Sequence, residues 1–146
     1  FRELAGAASD TLRRLSGGQF SLDLNDTSEF VVVDHTAADE RRPVRTLSGG
    51  ETFQASLALA LALSQHVMDL AGTRGHQALE SIFLDEGFGT LDPDSLEIVA
   101  STMEALGDDG RVVGLVTHVK ELADRVPVRF VVWKDARSAH VERVDG

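Results

Sequence analysis

The chain predicts an α/β fold with a mainly parallel sheet, helices and added hairpins. In its second half, short apolar runs at 82–84, 112–116 and 128–133 alternate with helical stretches. Strands separated by helices are the mark of parallel pairing. In its first half, strand-like runs at 20–24 and 30–33 face each other across an Asn25-Asp26 turn, a hairpin signal. With 146 residues and 42% hydrophobic content, the chain has the size of one domain and the means to bury a core.

Each element has a local cause. Leu4, Ala5, Ala8, Leu12 and Leu15 recur mostly at spacings of three and four, which predicts an amphipathic helix or the end of a longer one. Gly17-Gly18 stops it. Phe20, Leu22 and Leu24 alternate with Ser21 and Asp23, a half-buried strand. Residues 35–42 lack periodicity and read as an exposed loop. A helix is predicted over 49–70, and its middle, 55–63, is apolar on nearly all sides, as in a core. Residues 71–80 form a Gly-rich, polar connection. The run 81–84 is short, apolar and bounded by Asp85-Glu86, so it reads as a buried strand. Pro93 opens a helix over 94–106, and residues 108–110 turn the chain. Residues 111–116 form a second buried strand, followed by Thr117-His118 and a short helix to Arg125. Residues 128–133 form a third strand, and 139–144 close a terminal hairpin through 135–138.

Composition excludes several classes. The net charge of −10 repels phosphate backbones at long range, so the chain is not by itself an obvious nucleic-acid binder. No apolar run approaches the roughly 20 residues that span a bilayer, so no membrane partner is expected. There is no cysteine, which removes disulfides and thiolate metal sites and fits a reducing cytoplasm. The first residue is Phe, and no basic-then-apolar leader starts the chain, so a piece of a longer protein is expected.

Four stretches carry candidate chemistry. Leu47-Ser48-Gly49-Gly50-Glu51 opens the long helix, and Ser48 with Glu51 has the S-x-x-E spacing of a capping box. Gly49 and Gly50 leave the first turn bare, so the same residues suit an anion site as well as an ordinary cap. Asp85 and Glu86 stand at the C-terminal end of a strand, the edge where α/β sheets bind ligands. There Asp85 suits a hydrated Mg²⁺ and Glu86 an attacking water, against the alternative of two solvated turn acids. His118 follows the next strand at the equivalent place, fit to donate to a phosphate or merely to cap. Gly89-Thr90-Leu91-Asp92 precedes Pro93, so Asp92 also suits a helix cap. Between 81 and 100 there are five acids and no Lys or Arg, a field that calls for a cation or for water.

Two negative observations sharpen this. Leu15-Ser16-Gly17-Gly18-Gln19 shares four of five letters with the 47–51 stretch but precedes a strand, so it is expected to be a helix-to-strand turn. No G-x-x-x-x-G-K-[ST] stands anywhere in the chain, so any nucleotide site here is half of one.

In this order, 47–51, 82–86, 89–92 and 117–118 resemble the signature motif, Walker B, D-loop and H-loop of ABC-type ATPases. The wording at 47–64 and 85–92 is similar to the C-terminal end of the SbcC-like exonuclease ATPase subunits of the SMC-like group. The resemblance implies the C-terminal lobe of an ABC-type P-loop NTPase head over 17–146, with 1–16 the end of a coiled-coil helix. It implies ATP and Mg²⁺ as cofactors, with Asp85 assisting the metal, Glu86 activating water and His118 sensing the γ-phosphate. Leu47, Ser48, Gly49, Gly50 and Glu51 would face ATP held by the opposite head, and Asp92 would communicate across that dimer. The implied partners are an N-terminal P-loop lobe of the same protein, a second head as homodimer, an SbcD-type nuclease and DNA through the assembled complex. The implied place is the cytoplasm, at the nucleoid. Two other readings stay open. One is a transporter nucleotide-binding fragment, although Gly87-Phe88-Gly89 stands where such domains usually place Pro or Ala. The other is a non-catalytic interaction lobe.

Overall fold

The structure is a computed structural model that describes residues 2–70, 81–85 and 88–146. Helix α1 spans Arg2–Leu15 and buries Ala5, Ala8, Leu12 and Leu15, the apolar side its spacing predicts. Gly17 and Gly18 take φ of +62° and +91°, a conformation only glycine adopts cheaply. The Gly18 N–H donates to Arg13 O at 2.7 Å, and this pairing closes the helix end. Ser16 Oγ then accepts the Phe20 N–H at 2.9 Å as the chain enters the first strand. Residues 15–19 are therefore a helix-to-strand turn, as expected from the strand pattern behind them.

Strands β1 (Phe20–Leu24), β2 (Phe30–Asp34) and β3 (Glu40–Pro43) form an antiparallel sheet in the order β1-β2-β3. β3 corrects the expectation of a loop over 35–42. Its sequence carries charge where alternating apolar residues would signal a strand, and ion pairs take their place. Arg41 reaches Asp23 at 3.0 Å and Arg42 reaches Asp34 at 3.6 Å. Pro43 ends this edge strand, where a missing N–H costs least. Ala38 and Asp39 in the β2–β3 turn have φ of +55° and +58°. The Asp39 carboxylate pairs with His35 Nδ1 at 2.5 Å, while His35 Nε2 meets Ser21 Oγ at 2.9 Å, fixing that turn to β1.

Helix α2 runs from Gly49 to Leu70 and crosses the core. Leu57, Ala58, Leu61 and Ala62 are buried with Leu12, Phe20, Leu22 and Val32. Leu63 and Val67 are exposed, so the helix is covered on one side rather than all round. Gln54 is the polar exception, at 5% exposure. Its Nε2 donates to Leu15 O at 3.0 Å and to Thr102 Oγ1 at 2.9 Å. One amide thus ties the end of α1 and the middle of the next helix to α2, and a buried polar group is tolerated because it is bonded.

The second half comprises β4 (Ser81–Asp85), α3 (Pro93–Asp108), β5 (Val112–Val116), α4 (Lys120–Ala123), β6 (Val128–Lys134) and β7 (Ala139–Asp145). β4 and β5 pair in parallel, with Asp85 opposite Val116, and β6 pairs with β7 as the expected terminal hairpin. The strands expected to be buried on both faces are covered on one only. Ile82 faces the core, whereas Phe83, Val112 and Val116 on the other face are 76%, 63% and 55% exposed. The Phe83 ring lies across Gly114, where an added Cβ would come within 2.4 Å of it. Phe130, Val132 and Val141 of the hairpin are also exposed. The apolar runs are thus longer than the surface that the described residues supply to cover them. The connection expected over 71–80 lies outside the described residues.

Replacing Gln54 by Ala leaves the Leu15 carbonyl and Thr102 hydroxyl without this donor in a buried site. A loss of about 2 kcal/mol is expected, read as a lowered urea midpoint with an unchanged slope.

Candidate functional site

The site begins at the first turn of α2. Ser48 N–H donates to Glu51 Oε2 at 2.8 Å, and Glu51 N–H returns to Ser48 Oγ at 3.3 Å. This reciprocal pair is the capping box its spacing predicts. Ser48 and Gly49 are exposed and Leu47 is half-buried. Gly50 is buried, which corrects the picture of two bare glycines. A Cβ on Gly50 would lie 2.9 Å from Ser95 Cα and O and 3.0 Å from Ile98 Cβ. A Cβ on Gly49 would lie 2.5 Å from Leu91 Cδ2. Both glycines let α2 seat directly on the start of α3.

That start is itself capped. Asp92 accepts the Ser95 N–H and the Ser95 hydroxyl, each at 2.9 Å, with Pro93 in the first turn. The same two bonds, the amide first, hold the Asp92 carboxyl below its ordinary value. Ser95 therefore touches Gly50 with its backbone and Asp92 with its donors. Sequence reasoning did not single it out, although the Asp92-to-Ser95 spacing of three carried the signal.

Ahead of α3, Phe88 is buried and meets Phe53 of α2 edge-on at 5.8 Å between ring centres. Asp85 stands exposed at the end of β4. Between it and α2 lies an open cleft of about 330 Å³, lined by Gly49, Thr52, Phe53, Asp85, Phe88 and Leu91. His118 lies two residues beyond Val116, the register partner of Asp85, so it shares that sheet edge. An added Cβ on Gly89 would meet His118 Nε2 at 2.8 Å, so the imidazole packs on the Gly89 backbone. Glu86 lies outside the described residues. The acidic field of 81–100 is partly offset from elsewhere in the chain, because Arg125 binds Glu97 and reaches Glu104 at 3.1 Å.

The predicted residues therefore form two groups. Ser48, Gly49, Gly50 and Glu51 sit with Asp92 where α2 meets α3. Asp85 and His118 sit at the sheet edge, and the loop through Phe88, Gly89 and Leu91 joins the groups. A single exposed carboxylate fits Mg²⁺, which keeps most of its waters and takes other oxygens from phosphates. A helix start that exposes Ser48 and Gly49 fits the terminal phosphate of a nucleotide.

A family profile described as SbcC/RAD50-like, Walker B motif, matches residues 19–105, more than half of the chain. The chain belongs to the SbcC/RAD50-like family. It is 51% identical over 132 residues to the C subunit of the SbcCD nuclease of Deinococcus radiodurans, covering 90% of this chain and 14% of that protein. It is 41% identical over 141 residues to the Bacillus subtilis protein of the same name, covering 97% of this chain and 12% of that protein. The chain thus spans about one-eighth of these relatives. The solved SMC head domain from Thermotoga maritima superposes with a TM-score of 0.69 at 18% identity, over all of this chain and 49% of that one. An SMC ATPase chain solved in work on ATP-driven dimerization and DNA-stimulated activation gives 0.66 at 16% identity, over 99% of this chain and 84% of that one. These likenesses show the fold: this SbcC/RAD50-like chain has the mixed α/β architecture of SMC ATPase heads. Its parallel pair is β4–β5 and its hairpins are the antiparallel elements.

Two outcomes are expected of the glycine seat and the α3 cap. Gly50→Ala sets a methyl against Ser95 backbone and should cost about 1–3 kcal/mol. Gly49→Ala meets only the mobile end of Leu91 and should cost less than Gly50→Ala; unfolding midpoints of the two variants check the order. Asp92→Asn should be less stable than the parent near neutral pH. Because the folded carboxyl is held low, that difference is full above the unfolded value of about 4 and fades as pH falls through the folded one. Unfolding midpoints between about pH 6 and pH 2 measure it.

Proposed function

We propose that this chain is the C-terminal half of an ATP-hydrolysing head that dimerises on ATP and drives DNA-end processing with a nuclease subunit. The observation that carries the reading is the seat of the Ser48–Glu51 turn on the Asp92 cap, joined through Gly89 to the sheet edge that bears Asp85 and His118. In this reading residues 1–16 are the end of a coiled-coil helix and 17–146 the lobe itself. Relatives named as the C subunit of the SbcCD nuclease favour this over a transporter fragment.

The roles follow from what each group can donate. Ser48 Oγ and the exposed Gly49 at the start of α2 donate to an anion presented by the facing head, aided by the helix dipole. Asp85 holds Mg²⁺ directly or through water at the sheet edge. Glu86 accepts a proton from the attacking water, and His118 donates toward the terminal phosphate from the same edge. Bound ATP with Mg²⁺ supplies the phosphoanhydride that is cleaved and the negative charge that draws two heads together. Asp92, fixed on Ser95 of its own chain, presents its outer face to the partner head. Because the chain has no P-loop, it completes a site only with an N-terminal lobe carrying one. Such a lobe would also cover the exposed Phe83, Val112 and Val116 face. DNA and an SbcD-type nuclease act through the assembled complex, in the bacterial cytoplasm at the nucleoid.

The isolated chain is expected to hydrolyse no ATP above background, and addition of a matching P-loop lobe should restore turnover. In the restored head, Glu86→Gln should cut turnover at least about a hundredfold while leaving an ATP-dependent dimer, by light scattering. Robust hydrolysis by the chain alone, or unchanged turnover in Glu86→Gln, would contradict the reading.

A further inference from the structure

The cap of α2 has a third member that lies outside the signature stretch. Arg42 stands on β3 opposite Val32, on the sheet face that buries Val32 and Phe20. An arginine on an inward face needs a reason, because desolvating a guanidinium costs energy unless its donors are used. One of its terminal nitrogens is hydrogen-bonded and the other faces two carboxylates. One guanidinium nitrogen lies 3.6 Å from Asp34 Oδ2 and 3.6 Å from Glu51 Oε2, and the other donates to Thr46 O at 3.3 Å. The guanidinium carbon stacks over Phe20, 5.4 Å from the ring centre. Glu51 Oε2 is the same atom that accepts the Ser48 N–H.

This placement answers an electrostatic difficulty. An anion site at the start of α2 carries the Glu51 carboxylate in its own first turn, and Asp34 adds a second negative charge nearby. Both would oppose an incoming phosphate. Arg42 sits between them and touches both. We infer that Arg42 is a positioning residue for the signature turn, holding the Glu51 carboxylate beneath the Ser48 amide and offsetting its charge against the phosphate of the facing head. The inference rests on the reading of this turn as the partner head's phosphate site. Arg42 acts through Glu51 and need not touch the nucleotide.

The test uses the head assembled with its N-terminal lobe. The readout is the concentration of a non-hydrolysable ATP analogue that half-saturates head dimerisation, followed by light scattering at low salt. Arg42→Gln should raise that concentration about fivefold, and added salt should narrow the gap by screening the repulsion. Arg42→Lys should recover part of the loss, because it keeps the charge but not the planar fork. The decisive variant is the double substitution Arg42→Gln with Glu51→Gln. It removes the uncompensated charge, while the side-chain amide oxygen it sets at that position still accepts the Ser48 N–H. Dimerisation should then return toward that of the parent. A merely structural arginine predicts the reverse, a double variant as weak as the single or weaker. An unchanged concentration in Arg42→Gln, or no recovery in the double variant, overturns the role of Arg42. Parent heads that ignore the analogue at every concentration overturn the phosphate-site reading itself, and this role with it.

Discussion

The close approach of α2 to α3 is the contact on which the site depends. At Gly50 the two helices approach so closely that a single methyl would collide with Ser95 main chain and Ile98 Cβ. Packing this tight leaves no freedom for the α2 turn to shift relative to the α3 cap. Ser95 sits under Gly50 and donates twice to Asp92, so the turn and the cap share one residue. One turn further along, Gln54 bonds Leu15 O and Thr102 Oγ1, fixing α2 to α1 as well as to α3. A displacement of the Ser48 turn is therefore passed to the α3 cap and to the root of α1 by direct contact.

Much of this was legible in the sequence. The bounds of α2, the capping box, the Asp92 cap and the parallel alignment of β4 with β5 each come from local signals: a Ser three residues before Glu, an Asp before Pro, an apolar run ending in acid. The false copy at 15–19 was also legible, because a helix start is decided by the residues after it. Other features were not. β3 hid because its pairing rests on Arg41 and Arg42 with acids on neighbouring strands, and ion pairs leave no periodicity. The burial of Gly50 hid because a glycine reads the same whether it bares an amide or admits a neighbouring helix. Gln54 and Arg42 hid because a lone polar residue announces its partners only once the fold has placed them.

The apolar faces left open have a plain physical sense. β4 and β5 carry side chains suited to burial on two sides, yet only the side toward Ile82 is covered by described residues. Phe83, Val112 and Val116 lie on one outer face of β4–β5, and on the separate β6–β7 hairpin Phe130, Val132 and Val141 are exposed as well. Exposed apolar surface of this kind marks an interface. In the proposed reading, the chain offers a helix start and a sheet-edge carboxylate but no P-loop, so its chemistry is completed by another lobe.

The central claim is that the Ser48 turn serves the nucleotide of the facing head rather than that of its own. Subunit mixing tests it most directly. One assembled head carries Ser48→Arg with an intact P-loop lobe; the other carries intact Ser48 with the P-loop lysine replaced. Each alone should be inactive. Mixed in equal amounts, they should recover about a quarter of the parental ATPase rate, because half of randomly paired dimers rebuild one of two sites. A mixture that stays as inactive as its components would place the turn's action within its own head and contradict the account.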